Sequence, residues 1–252
     1  MKKIGIVGGI AWPSTVEYYS GLCRLAERRH LAQGGAGVAP MPRIAIESLD
    51  LRDVLAAIGD DDDEASWTDF DALHRDALLR LQAGGADVAV IASNTPHHRF
   101  ASITRGVCMP VPSILDAAAR ACNEHDARRV LILGTQTTMR SQAFRAAFAS
   151  HGIEAFAPPD LADRRRIAEI IEALQRERIE GAAARIEAIV AKSLSQAGNQ
   201  RAAVYLGCTE LPLAFPEFQA QPQFECRGLC CLNSTALHIH AAFEYAIEST
   251  DN

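Results

Sequence analysis

The chain has 252 residues, of which 48% are hydrophobic and 22% charged, and its net charge is −6. This composition is typical of a soluble globular protein with one large domain or two average ones, and the acidic balance excludes the basic face that nucleic-acid binding needs. Its seven cysteines lack framework spacing, which favours a reducing, cytoplasmic compartment over a disulfide scaffold. No apolar run approaches the roughly 18 residues of a membrane span, so we expect no membrane association.

The first predicted strand, residues 3–9, ends at two glycines, and a helix opens at Ser14 and Thr15. Four side chains at helical spacing are predicted to form the buried face of this helix: Val16, Tyr19, Cys23 and Ala26. The glycines lack the G-x-G-x-x-G order of a dinucleotide-binding turn. We therefore expect neither a nicotinamide nor a flavin site.

A second strand is predicted over residues 43–49, and the acidic run at 60–64 is predicted to be a solvated loop. A helix over 70–81 then leads into a buried strand that ends at Ser93. The histidines that follow, His97 and His98, have no carboxylate nearby, so no metal site is predicted there.

One α/β pattern occurs twice along the chain. Residues 83–95 and 197–209 each contain a helix end with glycine, an apolar strand and a polar turn that ends in threonine. The strand starts at residues 3 and 129 are also alike. The sequence therefore predicts an α/β fold with two similar domains, each a parallel-type sheet flanked by helices. The proline-rich segment 109–112 suggests a first domain of residues 1–110 plus 209–252 and a second of residues 111–208.

Three features of the second half leave alternatives open. Three arginines, residues 164–166, fall in the predicted first turn of a helix, where they oppose the helix dipole; a solvated cluster and an anion contact are weighed equally. The cysteines at 226, 230 and 231 have the wrong spacing for structural zinc. Asn233 is predicted to cap the last helix, and His238 to pack or face solvent.

The segment 202–212 is an apolar strand that ends at Gly207, followed by Cys208, Thr209 and Glu210. Ligands bind at the carboxyl ends of strands in open α/β sheets, so Cys208 is a candidate site residue. The alternative is that Cys208 is a buried small hydrophobe, as free cysteines usually are.

Five short motifs, in one order, resemble the aspartate/glutamate racemase family. They are Gly8-Gly9-x-x-Trp12-x-Ser14-Thr15, Asn94-Thr95-x-His97, Gly134-Thr135 with Thr138-Met139, Gly207-Cys208-Thr209-Glu210, and Ser234-Thr235-x-x-His238. The likeness spans nearly the whole chain and implies two α/β domains related by a pseudo-twofold axis, with the active site in the cleft between them. It also implies racemisation of aspartate or glutamate without pyridoxal phosphate, another cofactor or a metal. We expect a cytoplasmic homodimer that acts on this small acidic amino acid.

The resemblance assigns Cys208 as the acid/base group on one face of the α-carbon, the face that serves the L-enantiomer. Ser93 stands where the family usually has the second cysteine, and a serine hydroxyl is a poor base unless another group activates it. An unperturbed thiol pKa near about 8.5 predicts that thiol and thiolate are both accessible near neutrality. The implied substrate contacts are Ser14, Thr15, Arg52, Asn94, Thr95, Thr135, Thr138, Arg166 and Thr209. Of these, the two arginines suit the side-chain carboxylate because a guanidinium pairs with it bidentately.

Ser93 keeps two other functions open. A one-cysteine member could be a decarboxylase or isomerase of the same superfamily, in which Cys208 only protonates an enolate. A non-catalytic protein could bind an acidic ligand without turnover. The sequence does not distinguish a natural serine at position 93 from a replaced cysteine, and Asn233 also departs from the family's usual aspartate.

Overall fold

The structure is a computed structural model that describes residues 1–60, 62–197, 202–226 and 228–248, and it divides the chain into two compact units. Unit 1 comprises Met1–Ser113 and the segment that starts at His238, and unit 2 comprises Ile114–Leu237. The chain passes from unit 1 to unit 2 after Ser113, just after the predicted proline-rich segment. It returns to unit 1 at His238 and not at residue 209 as predicted, because strands within residues 209–237 extend the sheet of unit 2.

Unit 1 is built on three parallel strands among its described residues, in the order β2-β1-β3. Its elements are β1 (Ile4–Gly8), α1 (Trp12–Ala32), β2 (Ile44–Ser48), α2 (Leu51–Ala56), a 3-10 helix (Glu64–Trp67), α3 (Thr68–Ala83), β3 (Val88–Ile91), a 3-10 helix (Thr95–Arg99) and α4 (Phe100–Ile103). The strands β1 and β3 are buried along their whole length, as their continuous apolar runs predict for a parallel sheet covered on both faces.

Helices cover both faces of this sheet. On one face, Ile4 and Ile6 pack in a cluster with Tyr18 of α1 and Phe243 of the C-terminal helix. On the other face, Val7 packs in a cluster with the helix α3. The unit therefore has the helix-sheet-helix layers expected of an α/β fold.

The predicted buried face of α1 is wrong except at Ala26, which is buried. Val16 and Tyr19 are exposed and Cys23 is half-buried, whereas Tyr18 and Leu22 are fully buried. This helix carries apolar residues at helical spacing on more than one face, and the face with Tyr18 is the one that meets β1.

Unit 2 has a sheet in the order β5-β4-β6-β8-β7 across its described residues, parallel except for the edge strand β7. Its elements are α5 (Ile114–Glu124), β4 (Arg129–Gly134), α6 (Gln136–Arg140), α7 (Gln142–Ser150), β5 (Glu154–Phe156), α8 (Leu161–Gln175), α9 (Ala182–Ala197), β6 (Ala202–Gly207), two 3-10 helices (Leu211–Ala214 and Pro216–Phe218), β7 (Gln223–Cys226) and β8 (Leu229–Asn233). The last helix, α10 (Ser234–Ile247), begins in unit 2 and continues in unit 1. The side-chain amide oxygen of Asn233 accepts a hydrogen bond from the Ala236 amide, which confirms the predicted cap.

The two units share one strand arrangement. In unit 1 the order β2-β1-β3 corresponds to β5-β4-β6 in unit 2, with the first strand of each unit in the middle. This confirms the α/β fold and agrees with the duplication inferred from the sequence. The predicted helix end at Gly198 and part of the acidic run, Asp61, lie outside the described residues. No helix among the described residues is both long and apolar enough to cross a bilayer.

Candidate active site

In unit 2, two neighbouring strands end in register. Gly134 of β4 is paired with Gly207 of β6, and Thr135 and Cys208 follow directly. A Cβ on Gly134 would lie 2.8 Å from the carbonyl oxygen of Gly207, so glycine allows the two strand ends to approach this closely. The two turns therefore lie side by side at the carboxyl edge of the sheet, where α/β proteins bind ligands.

Cys208 is buried and bonded to a carboxylate. Its thiol donates a hydrogen bond to Oε2 of Glu210 at 2.8 Å, and the Thr209 hydroxyl donates to the same oxygen at 3.0 Å. Burial raises the pKa of Cys208 well above its ordinary value, and the charge and hydrogen bond of Glu210 raise it further; backbone amides of Thr209 and Glu210 only partly oppose this. The expectation that thiol and thiolate are both accessible near neutrality, which assumed an unperturbed pKa, is therefore wrong. The neutral thiol dominates at pH 7, with Glu210 placed to take its proton.

We expect Glu210→Gln to accelerate alkylation of Cys208 by iodoacetamide at pH 7 by roughly tenfold for each unit by which the thiol pKa falls. The reason is that the substitution removes the negative charge that disfavours thiolate. The measurement is the rate of modification at Cys208 against pH, mapped by peptide mass spectrometry. The control is Glu217→Gln, an exposed glutamate of the same unit. An unchanged or slower reaction in Glu210→Gln would contradict this assignment of the pKa shift.

Two predicted substrate-binding hydroxyls meet beside Cys208. Thr135 is the N-cap of α6, and its hydroxyl oxygen accepts from the Thr138 amide at 3.2 Å. The two hydroxyl oxygens lie 3.1 Å apart, and Thr138 is buried. This end of the sheet therefore presents hydroxyl groups from both β4 and β6 turns, with Thr209 on the second.

Arg166 lies on α8 and is largely exposed, with an ion pair of 2.9 Å to the buried Asp163. Asp163 also binds Lys192 at 2.6 Å. The helix begins at Leu161, with Asp160 as its N-cap, so the three arginines lie beyond the first turn that the sequence predicted for them. The first turn contains Asp163, whose negative charge interacts favourably with the positive end of the helix dipole.

In unit 1, the turn after β1 depends on Gly9. Its φ is +82°, and a Cβ there would collide with the backbone of Leu49. The Thr15 hydroxyl oxygen accepts a hydrogen bond from the Gly9 amide at 2.9 Å, whereas Ser14 is buried on the inner side of α1. Thr15 therefore fixes the turn at the carboxyl end of β1.

Ser93 lies in the turn after β3, next to β1 in the sheet. Its amide donates to the Ile91 carbonyl at 2.8 Å, and its side chain is half-buried. Asn94 is buried, and Thr95 begins a 3-10 helix. Parallel strands end at one edge, so the Ser93 turn and the Gly9 turn lie at the same edge of the sheet.

Arg52 follows β2, the third strand of that edge. Its guanidinium pairs with Asp50 at 2.9 Å, and the side chain is 89% exposed. Both predicted guanidinium groups, on Arg52 and Arg166, therefore already hold an aspartate in this structure, and a substrate carboxylate would compete with it.

Comparison with known proteins identifies the family to which the chain belongs. The sequence profile of the Asp/Glu/Hydantoin racemase family matches residues 7–242. The chain belongs to this family.

Solved structures agree with this racemase assignment. An aspartate racemase homologue from Pyrococcus horikoshii OT3 is 27% identical, with a TM-score of 0.77, and the match covers 98% of this chain and 100% of that one. A candidate Asp/Glu racemase from Yersinia pestis is 26% identical, with a TM-score of 0.79 and the same coverage. A glutamate racemase from Campylobacter jejuni subsp. jejuni is 18% identical, with a TM-score of 0.62 over 99% of this chain and 88% of that one, and shows a common fold.

Three residues of this racemase-family chain have contacts that the sequence interpretation missed: Glu210, His97 and His238. Each stands in a motif quoted above, and a carboxylate two residues after Cys208 was the clearest signal. His238 is fully buried, between the Tyr18 hydroxyl at 2.7 Å and the Pro112 carbonyl at 2.9 Å, rather than facing solvent. Burial lowers its pKa to about 4, so it is neutral at pH 7. Within the described ranges, no group of three histidine, cysteine, aspartate or glutamate side chains could hold a metal ion.

Proposed function

We propose that this protein racemises an acidic amino acid, aspartate or glutamate, by removing its α-proton and returning a proton to the opposite face. The observation that carries the proposal is the buried Cys208 thiol at the end of β6, bonded at 2.8 Å to Glu210. A thiol next to a carboxylate can lose a proton to it and regain that proton without solvent. A group that acts as a base in one direction of racemisation and as an acid in the other needs this reversibility. Membership of a racemase family supports the same conclusion.

The proposed reaction of the L-enantiomer begins when the Cys208 thiol passes its proton to Glu210. The thiolate removes the α-proton, and the electron pair stays on the α-carbon as a carbanion. The Ser93 hydroxyl then donates a proton to the other face, which gives the D-enantiomer and a serine alkoxide; the alkoxide takes a proton from water, and Glu210 releases its proton to water. Reversal of these steps converts D to L. Ser93 is the weaker partner because its hydroxyl, unlike a thiol, gives up its proton reluctantly.

Substrate binding is proposed to use the polar groups of the strand-end turns. Asn94 and Thr95 of one unit and Thr135, Thr138 and Thr209 of the other are proposed to hold the α-carboxylate and α-ammonium. Ser14 and Thr15, near the start of α1, are proposed to add carboxylate contacts. Arg52 and Arg166 are proposed to exchange their aspartate partners for the side-chain carboxylate, because a bidentate guanidinium pair is favourable there.

A second candidate activity is decarboxylation. It is favoured by one observation: among the described turns that follow β3 and β6, Cys208 supplies the one thiol, and a single proton donor suffices to protonate an enolate. A third hypothesis is that the protein binds an acidic ligand without turnover.

Incubation of the pure protein with L-aspartate and, separately, with L-glutamate tests these functions. We expect the D-enantiomer of at least one of the two substrates to accumulate until both enantiomers are present in equal amounts. Chiral chromatography measures this conversion. Carbon dioxide release from malonate analogues, without racemisation, would support the decarboxylase instead. Ligand-dependent protection of Cys208 with neither reaction would support the binding protein.

A further inference from the structure

Asp163 is a buried carboxylate that two cations share. Its side chain is 2% exposed, its Oδ1 accepts from the Arg166 guanidinium at 2.9 Å, and its Oδ2 accepts from Nζ of Lys192 at 2.6 Å. A buried carboxylate that loses its last cation is strongly destabilised, because little water reaches it to replace the partner. Either cation can therefore leave Asp163 without stranding a buried charge only while the other one stays.

Lys192, on α9, is held in this position by a second aspartate. Its Nζ also donates to Oδ2 of Asp160 at 2.9 Å, and Asp160 is the N-cap of α8. The hydrogen bonds to Asp160 and Asp163 raise the pKa of Lys192, so its ammonium stays charged. An ammonium has three hydrogens and can make both bonds at once. Lys192 is therefore the fixed cation, bonded from one helix to the start of the next.

Arg166 is the more exposed of the two cations, at 63% against 40%. Its helix α8 follows β5, which runs parallel to β4, so α8 begins at the same edge of the sheet as the turn that carries Thr135. The side-chain amide of Gln136, the next residue, donates to the Arg164 carbonyl at 3.2 Å. The helix that carries Arg166 is therefore joined to a turn proposed to hold the substrate.

The other guanidinium proposed to bind substrate is in a different situation. Arg52 pairs with Asp50, whose side chain is 44% exposed, so water can solvate Asp50 when Arg52 leaves. The buried Asp163 has no comparable access to water. A substrate carboxylate can therefore draw Arg166 away from it only if Lys192 keeps Asp163 paired.

We propose that Lys192 is a positioning residue that releases Arg166 to the side-chain carboxylate of the substrate, an inference that rests on the role of Arg166 in the proposed function. In the resting protein Asp163 holds both cations. When aspartate or glutamate binds, Arg166 exchanges Asp163 for the substrate carboxylate, while Lys192 keeps its bonds to Asp160 and Asp163. No buried charge is left without a partner in either state.

Substitution of Lys192 tests the proposal. In Lys192→Met, Arg166 becomes the last partner of Asp163, so we expect KM for L-aspartate and L-glutamate to rise at least about tenfold while kcat changes less than about threefold. Lys192→Arg keeps the cation and should stay within about threefold of the native constants. The matched control is Arg176→Met, which breaks the 2.7 Å ion pair with Glu172 farther along α8 and should change neither constant. An unchanged KM in Lys192→Met would overturn the proposal.

A double substitution separates positioning from packing. Asp163→Asn removes the charge that would hold Arg166, so adding it to Lys192→Met should bring KM back to within about threefold of the native value. A purely structural role predicts a further loss instead, and a double variant as impaired as Lys192→Met would overturn the proposal. Where the double variant has a thermal midpoint below the assay temperature, Arg166→Gln replaces Asp163→Asn. In that background Lys192→Met should have no further effect on KM, and an undiminished effect would overturn the proposal.

Equilibrium binding gives a readout that does not depend on racemisation. Calorimetric titrations compare L-aspartate and L-glutamate with L-asparagine and L-glutamine, which carry a neutral amide in place of the side-chain carboxylate. Lys192→Met should weaken binding of the acids at least about tenfold more than binding of the amides. Equal weakening of both, or a native protein that does not prefer the acids, would overturn the proposal even in an active racemase. Weakening confined to the acids in a protein without racemisation would instead refute the proposed function and leave the link between Lys192 and Arg166 standing.

Discussion

Cys208→Ala is expected to lower racemisation by at least about 1,000-fold, within the range by which positioned acid/base groups act. The thiol is the group at the end of β6 that we propose to exchange a proton with the α-carbon, and alanine leaves no acid/base group at position 208. Initial rates from both enantiomers, measured by chiral chromatography, give the result. Alkylation of Cys208 in the native protein should also be slowed by aspartate or glutamate.

Cys231→Ala is the matched control, because Cys231 is a buried cysteine in the same core cluster of unit 2. It should keep native turnover even if it lowers stability. Activity that persists in Cys208→Ala would remove this thiol from the mechanism, and equal losses in the two variants would point to a packing effect.

Ser93→Cys is expected to raise racemisation by about 100-fold or more, the usual effect of a positioned acid or base. The turn after β3 already provides the neighbours Asn94 and Thr95, so the change adds a better proton donor and acceptor without a new loop. Enantiomers have equal free energies, so the rise in kcat/KM must be the same in both directions. Initial rates from L- and D-substrates measure both.

Ser102→Cys, a half-buried serine of α4, is the control for adding a thiol to unit 1. It should leave the rate unchanged. A Ser93→Cys rate equal to the native rate would mean that position 93 does not act on the second face, and the two-group assignment would be wrong.

The sequence predicted much of the fold because the central strands are continuous apolar runs. The duplicated pattern of strand, turn and hydroxyl led to the two units, and the glycines at 134 and 207 marked the paired strand ends that the structure shows. Strands that are buried on both faces of a parallel sheet have continuous apolar sequences, and such runs can be recognised directly in the sequence.

Other features depended on contacts that spacing cannot show. The helix α1 offers apolar residues on more than one face, so only packing against β1 decides that Tyr18 is buried and Tyr19 is exposed. The edge-to-face contact of His97 with His238 joins distant segments of the chain. The raised pKa of Cys208 arises from burial and from Glu210 together, and the sequence showed the carboxylate without showing its hydrogen bond.

In the proposed mechanism, one thiol and one hydroxyl act on opposite faces of the same α-carbon. Because racemisation needs both groups, net conversion cannot tell which face still works. Exchange of the α-hydrogen with solvent can, since the proposed role of Cys208 lets it remove a proton and return a deuteron to the same face without Ser93. This is the face proposed to serve the L-enantiomer.

The direct measurement is proton NMR of the α-signal of each enantiomer in deuterium oxide, with chirality followed in the same samples. We expect L-aspartate or L-glutamate to exchange its α-hydrogen with retention, faster than it racemises, while the D-enantiomer exchanges much more slowly. Equal exchange from the two enantiomers would contradict the asymmetry between Cys208 and Ser93.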